Sequence, residues 1–264
     1  ATVFHTLGVN VHIMESMPQI LSTLDDDLGK RLSTYLKKAS IQLMTSCSVS
    51  RIEKSGDGLE VHTLQYPPLR VDAVFVAVGR TPNYEDLGLE EVGVQTLKMG
   101  IPVNETYQTN IPSIYALGDV IGGIMLAHKA SFDAKVIASI FSNDAFKYDP
   151  HLVPSVVFSM PQIATVGISE RELKNRFINY QAIRIPYRGN CKAVATLATD
   201  GYLKILVDEA QILVGAQVIG AHAEDLIHEL ALMVENKRTI ASFKTLIHAH
   251  PTLSELIYSA LSAI

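Results

Sequence analysis

From Val71 to Val78 the chain is almost continuously apolar, interrupted only by Asp72, and the run stops at Gly79. A stretch of that length without polar alternation suits a strand buried on both faces, and such strands belong to parallel sheets covered by helices. The pattern predicts an α/β unit, and the residues before it agree. Ala1 to Leu7 read as the end of a helix, with Gly8 as the turn out of it. Val9 to Glu15 alternates apolar and polar residues as a strand does. Asp25 to Ala39 reads as a helix with acids at its start and lysines at its end, as the helix dipole favours. Cys47–Glu53 and Leu59–Leu64 read as strands joined by a hairpin turn at Gly56-Asp57-Gly58. Because the first residues already look like a helix in progress, this unit is expected to lack its front end.

A second segment runs from about Thr81 to Pro150. It carries Pro and Gly punctuation, an expected strand at Ser113–Leu117 and an expected helix from about His128 to Phe141. From His151 a third segment offers strands at Ser155–Ser159 and Ile163–Gly167, then a hairpin pairing Tyr202–Val207 with Ile212–Ile219. Two helices close it, about Ala223–Asn236 and Thr252–Ala263. Leu226, Ile227, Leu230 and Met233 fall at helical spacing and are expected to pack on the sheet or on a partner subunit. The fold class is thus α/β and α+β, with a truncated Rossmann-like domain over 1–82, a central segment over 83–150 and an α+β domain over 151–264.

Composition narrows the function. The 264 residues suffice for roughly two compact domains, and 48% are hydrophobic, enough for a sizeable core. A net charge of −5 argues against a nucleic-acid binder that neutralises phosphates. No apolar run reaches the ~20 residues of a membrane helix, and no basic-then-apolar leader is present. Cys47 and Cys191 are too far apart for a metal-ligand or redox spacing and read as reduced thiols of an intracellular protein.

Three stretches carry possible chemistry. The first is His248-Ala249-His250-Pro251-Thr252-Leu253-Ser254-Glu255. Pro251 suits the first turn of a helix, which sets His250 just outside a helix N-terminus and Glu255 one turn into it. A carboxylate so placed can accept from one imidazole nitrogen and leave the other free to move protons near neutral pH. The same spacing also suits a Glu255 that complements the helix dipole and a His250 that caps the helix. The second stretch runs from Thr109 to Asp119, where a short apolar strand ends in Gly118 and Asp119. Glycine lets the backbone approach a ligand, and aspartate can accept from a polyol; an ordinary strand-to-turn Gly-Asp looks the same. Met125-Leu126-Ala127-His128 follows at an expected helix start, where the electropositive end can stabilise negative charge. The third is Glu15, which closes a strand after a helix. There an acid can bond a ribose 2′-hydroxyl and repel a 2′-phosphate, or it can simply be a solvated strand end.

The first stretch resembles the His-x-His-Pro-Thr-x-x-Glu signature of the pyridine nucleotide–disulfide oxidoreductases, in its lipoamide dehydrogenase form. The resemblance implies that His250 is the acid/base for the thiols, that Glu255 orients it, and that His248 occupies a motif position without that role. It also implies that His250 serves the active site of the other subunit of a homodimer. Thr109–Asp119 resembles the family's second flavin motif, with Asp119 on the ribityl chain of FAD and backbone groups of Met125, Leu126, Ala127 and His128 beside the flavin ring. Val78-Gly79-Arg80-Thr81-Pro82-Asn83 resembles the segment closing the nicotinamide domain. That resemblance places Gly79 and Glu15 on NAD and Val49 on its adenine side. It makes 1–82 a partial NAD-binding domain, 83–150 the end of an FAD-binding domain and 151–264 a dimerisation domain.

The implied parent is a flavoenzyme using FAD and NAD to oxidise the dihydrolipoamide of a lipoyl domain in a 2-oxoacid dehydrogenase complex. Its expected location is the cytoplasm, or the mitochondrial matrix in a eukaryote. The family's FAD fingerprint, close cysteine pair, linking helix and nicotinamide loop are expected before Ala1. The chain alone is therefore expected neither to hold FAD tightly nor to turn over. Glutathione reductase, mercuric reductase, a soluble transhydrogenase and a stand-alone dimerisation module remain as alternatives.

Overall fold

The computed structural model describes residues 1–264, which divide into two units: residues 1–74 with 151–264, and residues 75–150. No helix is long and apolar enough to cross a membrane.

In the first unit, α1 (Thr2–Thr6) leads through Gly8 to β1 (His12–Met14), α2 (Asp26–Lys38) and β2 (Gln42–Met44). β1 and β2 form a parallel pair, His12 facing Gln42. β1 is shorter than the alternation suggests. Only single hydrogen bonds from Gln42 N to the Val11 carbonyl and from Glu15 N to the Met44 carbonyl extend the ladder beyond its three residues. β3 (Val49–Ser55), β4 (Gly58–Thr63) and β5 (Leu69–Val71) make an antiparallel sheet. Ser55 pairs with Gly58 across a two-residue turn, as the Gly56-Asp57-Gly58 signal predicts.

The long apolar run does not behave as predicted. β5 ends at Val71, the segment from Asp72 to Gly79 joins no sheet, and Val78 is 94% exposed. A doubly buried strand needs a hydrogen-bonded neighbour and cover on both faces, and the one parallel ladder of this structure, β1 with β2, excludes it. The division between the two units falls inside the run.

The second unit contains a short 3₁₀ turn at Gly118–Ile121 and one long helix, α3 (Ala127–Phe141). The strand expected at Ser113–Leu117 reduces to an isolated bridge between Gln108 and Tyr115. The turn at Ile111 to Ile114 and the flanking bonds from Thr109 and Ala116 use up its backbone groups locally. A small cluster around Val94, Ile101 and Ala116 forms this unit's core.

The rest of the first unit is built on a five-stranded antiparallel sheet in the order β6 (Ser155–Val157), β7 (Gln162–Gly167), β10 (Leu213–Gly220), β9 (Tyr202–Asp208), β8 (Tyr180–Pro186). Between these strands lie α4 (Glu170–Asn175) and α5 (Cys191–Ala195); α6 (Ala223–Asn236) and α7 (Glu255–Ser262) follow. β8, α4 and α5 were not evident from the sequence. Strand alternation sends Ala164, Val166, Leu203, Ile205, Ala216 and Val218 to a face covered by α6 and α7, where the Leu226, Ile227, Leu230 and Met233 stripe is buried. Ile163 and Ile219 point the other way, onto Leu28, Leu32, Tyr35 and Leu36 of α2. The stripe of α6 therefore packs on the sheet, one of its two expected destinations.

On that second face the sheet also carries Lys204, fully buried. Its Nζ lies 2.9 Å from Asp27 Oδ2, 2.8 Å from Glu170 Oε2 and 3.7 Å from Asp25 Oδ2. Asp25 also accepts from the first N–H groups of α4, Glu170 and Arg171, at 2.9 Å each, and from Gln217. Tyr202 and Arg184 complete the set around Asp27, at 2.9 and 2.8 Å. The acids at the start of α2, expected from the sequence to serve the helix dipole, are bound into this network. Burial pushes the Glu170 carboxyl up, but the bonds from Lys204 and Lys174 outweigh it and hold it at about 2.

Removing Lys204 leaves buried carboxylates uncompensated, and we expect Lys204→Ala to cost about 3–5 kcal/mol in urea unfolding. Glu170 titrates lower in the folded chain than in the unfolded one. Its contribution is therefore complete above the ordinary value of 4.5 and is lost as pH falls from there toward about 2. Unfolding midpoints measured across that window should drop in the native chain and drop less in Glu170→Gln.

Candidate functional site

His250 and Glu255 come together as the sequence suggests, by a local route that differs in detail. Pro251 precedes the helix, joined to His250 by a cis peptide bond, and Glu255 is the first residue of α7 instead of lying a turn inside. The turn at Leu253 and Ser254 stands where the first helical turn was expected. His250 Nδ1 lies 2.9 Å from Glu255 Oε1, and the other carboxylate oxygen, Oε2, accepts from Thr252 N at 2.9 Å. Thr252 and Glu255 thus make half of a capping box; the Thr252 hydroxyl donates instead to the Ala249 carbonyl at 2.7 Å.

Glu255 thus gives one oxygen to the backbone before the helix and the other to the imidazole, a geometry compatible with both readings the sequence offered. The Thr252 N–H and then the His250 ring hold its carboxyl below the ordinary carboxylate range. The carboxylate places the imidazole proton on Nδ1, which leaves Nε2 as a bare acceptor on a ring 66% exposed. Such an arrangement can take a proton from a thiol and return it.

In the second unit, Asp119 sits in the 3₁₀ turn after Gly118. Gly118 has φ +74°, and a Cβ there would meet the Ala130 Cβ of α3 at 3.0 Å. The position therefore favours glycine on two counts. Asp119 Oδ2 forms an ion pair with Arg80 Nη2 at 3.2 Å. Arg80 belongs to the Val78–Asn83 stretch, so two separately noticed motifs meet at this pair. Gly79 itself has φ +133° and open space around its α-carbon. Met125 precedes α3, Leu126 is its N-cap, and Ala127 and His128 are its first residues; no side chain caps this end. A helix start of this kind is electropositive and suits an anionic ligand.

Beneath the Gly118 turn lies a cluster that no sequence signal announced except the Lys129/Asp133 spacing. Asp133 is fully buried. It accepts from Tyr107 Oη at 2.5 Å, Tyr148 Oη at 2.7 Å, Lys129 Nζ at 2.6 Å and Gly118 N at 3.4 Å. Burial pushes its carboxyl up, and the bonds from Lys129, Tyr107 and Tyr148 outweigh that and lower it. Burial and the same carboxylate push the Tyr107 phenol up.

Glu15 stands just past β1, half-buried. Its Oε1 accepts from Met17 N at 2.8 Å and Ser16 Oγ at 3.3 Å, so Oε2 is the oxygen left for a hydroxyl ligand. Val49 opens β3 opposite Thr63 and is exposed. Cys47 is buried and Cys191 exposed, both as free thiols. Asp119 Oδ1 and Glu15 Oε2 are each able to accept from a hydroxyl, the group that a polyol or a ribose would present.

The chain resembles known proteins over nearly its whole length. Residues 1–134 match the family model for pyridine nucleotide-disulphide oxidoreductase, and residues 153–261 match that family's dimerisation domain. The chain is 36% identical to dihydrolipoyl dehydrogenase of Geobacillus stearothermophilus, over 98% of its own length and 56% of the relative's. It is 38% identical to dihydrolipoyl dehydrogenase of Chlamydia muridarum, over 100% and 57%. It therefore spans a little over half the length of these relatives. Among solved structures, LpdA of Mycobacterium tuberculosis superimposes with a TM-score of 0.93 at 24% identity, covering 99% of this chain and 58% of that one. An HOCl-induced flavoprotein disulfide reductase of Escherichia coli, RclA, gives 0.92 at 24%, covering 100% and 61%. At that identity the likeness is one of fold.

Replacing Glu255 with Ala removes the acceptor of the Thr252 amide and of the His250 ring together. Hydrogen exchange at the Thr252 amide should speed up while amides in β9 and β10 keep their protection. Unchanged Thr252 exchange would remove the capping bond from this description.

Proposed function

The chain belongs to the pyridine nucleotide-disulphide oxidoreductase family, and from that premise we propose that it supplies the acid/base portion of a flavin-dependent dihydrolipoamide dehydrogenase. The activity is that of the longer protein: oxidation of protein-bound dihydrolipoamide with reduction of NAD+. The observation that carries the reading is the 2.9 Å bond between His250 Nδ1 and Glu255 Oε1, which fixes the tautomer and frees Nε2. The dihydrolipoyl dehydrogenases among its relatives support the choice of substrate.

His250 Nε2 takes the proton of a dihydrolipoyl thiol, and the resulting thiolate is the nucleophile toward a disulfide. Glu255, held ionised by Thr252 N–H, stabilises the imidazolium that forms. Asp119 would hold the ribityl chain of FAD, with the uncapped start of α3 at Met125 to His128 facing its ring, and Glu15, Val49 and Gly79 would hold NAD. When bound, the flavin supplies the two-electron chemistry and NAD+ the final acceptor. Glu15 keeps a negative charge where a 2′-phosphate would otherwise sit, which favours NAD over NADP.

We assign residues 1–82 to the NAD-binding part, 83–150 to the FAD-binding part and 151–264 to the dimerisation part. The match over 153–261 supports a homodimer, in which His250 serves the partner's site. The reducing partner is a lipoyl domain of a 2-oxoacid dehydrogenase complex, in the cytoplasm or the mitochondrial matrix. The alternative, a stand-alone dimerisation module, draws on that same match. The two separate on one comparison: the longer protein reduces NAD+ with dihydrolipoamide under our reading and does not under the alternative.

In the longer protein His250→Gln should lower kcat by about 10²–10⁴-fold, the usual contribution of a general acid/base, with flavin content unchanged. The 264-residue chain alone should lose its yellow absorbance on gel filtration and form no NADH. Tight flavin in the isolated chain, or a His250→Gln enzyme of full activity, counts against the proposal.

A further inference from the structure

The stretch that carries His250 is poorly held by its own backbone. After the Leu246 N–H reaches the Phe243 carbonyl, no backbone–backbone hydrogen bond involves any residue from Ile247 to Pro251. Ile247 points outward, 93% exposed. Side chains do the holding. Thr252 Oγ1 donates to the Ala249 carbonyl, Glu255 binds the His250 ring, and His248 Nε2 lies 2.8 Å from Glu229 Oε1 on α6.

The His248 ring is turned inward, only 6% exposed, with its centroid 6.2 Å from that of the Tyr258 ring on α7. This one side chain ties the stretch to both α6 and α7. Its remaining nitrogen, Nδ1, is buried and meets no protein group.

That geometry settles where a single imidazole proton belongs. On Nε2 it is donated to the Glu229 carboxylate. On Nδ1 it would be a buried donor without an acceptor, while the carboxylate would face a lone pair. His250 has the reverse pattern, because its Nδ1 is the nitrogen that faces a carboxylate. We propose that His248 and Glu229 are a positioning pair for His250: an imidazole whose Nε2–H is donated to the carboxylate, pinning the unsupported stretch to α6 so that the neighbouring ring, held as Nδ1–H, presents a bare Nε2. The role assigned to His250 rests on the function proposed above; the two opposite tautomers do not.

Long-range proton–nitrogen spectra of the 264-residue chain, labelled with ¹⁵N-histidine and recorded above the range in which imidazoles protonate, distinguish the tautomers directly. The expected result is an Nε2–H pattern for His248 and an Nδ1–H pattern for His250. Glu229→Gln keeps an acceptor and should preserve both. Glu229→Ala should drive the His250 pattern toward the average of exchanging tautomers. His248→Phe keeps a buried ring against Tyr258 but cannot donate, and should have the same effect even if Glu229→Ala fails to fold. In the longer enzyme these two variants should lower kcat by roughly ten- to a hundredfold, and Glu229→Gln should restore it.

A His248 protonated on Nδ1 overturns the proposal. So does a His250 pattern that survives both Glu229→Ala and His248→Phe. Tautomers as expected in a protein inactive toward dihydrolipoamide would support the pairing of His248 with Glu229 and remove only the functional reading.

Discussion

The ammonium group of Lys204 is the fixed point of the larger unit. A lysine on the face of a central strand is costly unless paired, and here the pairing comes from far away in sequence. Asp25 and Asp27 flank the start of α2, and Glu170 starts α4. The charge and its partners therefore specify which part of the N-terminal segment lies against the sheet, and in what register. The apolar contacts of α2 with Ile163 and Ile219 supply attraction without direction; the carboxylates supply the direction. Asp25 has a second task, because it also accepts the first N–H groups of α4. Placement of α2 and of α4 is thereby one event.

The same economy of carboxylates recurs at smaller scale. Glu255 divides its two oxygens between the Thr252 N–H and the His250 ring, so the start of α7 and the orientation of the imidazole are fixed together. Asp133 gathers two phenols, an ammonium and a backbone N–H under the Gly118 turn. In each case one acid binds several donors, from the adjoining stretch at Glu255 and from separate segments at Asp133. Such networks define geometry more than they add stability.

What the sequence revealed follows from the range over which each signal acts. The hairpin at Gly56-Asp57, the helix Ala223–Asn236 and its buried stripe, and the pairing of Tyr202–Val207 with the strand after it depend on neighbours a few residues apart, and all appear in the structure. His250 and Glu255 were legible for the same reason, and the family motif identified them as a unit. The structure departs from expectation where strand formation depends on distant partners. Asp72–Val78 and Ser113–Leu117 have the composition of strands, but beyond the single bridge at Tyr115 their backbone groups find no ladder. The acids of α2 were read as dipole partners because their real counterpart, Lys204, lies far along the chain. Nothing local connects Tyr107 to Asp133, or Glu229 to His248. Glu15 stands just past the strand it was expected to close, whereas Gly79 ends no strand.

The segment after β5 has a consequence for how the chain behaves in bulk solution. Ala73-Val74-Phe75-Val76-Ala77-Val78 combines high β-propensity, no charge and no proline, and Val76 and Val78 are well exposed. Stretches with those properties invite cross-β stacking, since edge-to-edge addition satisfies backbone and side chains together. Association through such a segment joins separate molecules, so it grows with concentration. Whatever lays a strand along this segment acts as its solubiliser as well as its neighbour in the fold.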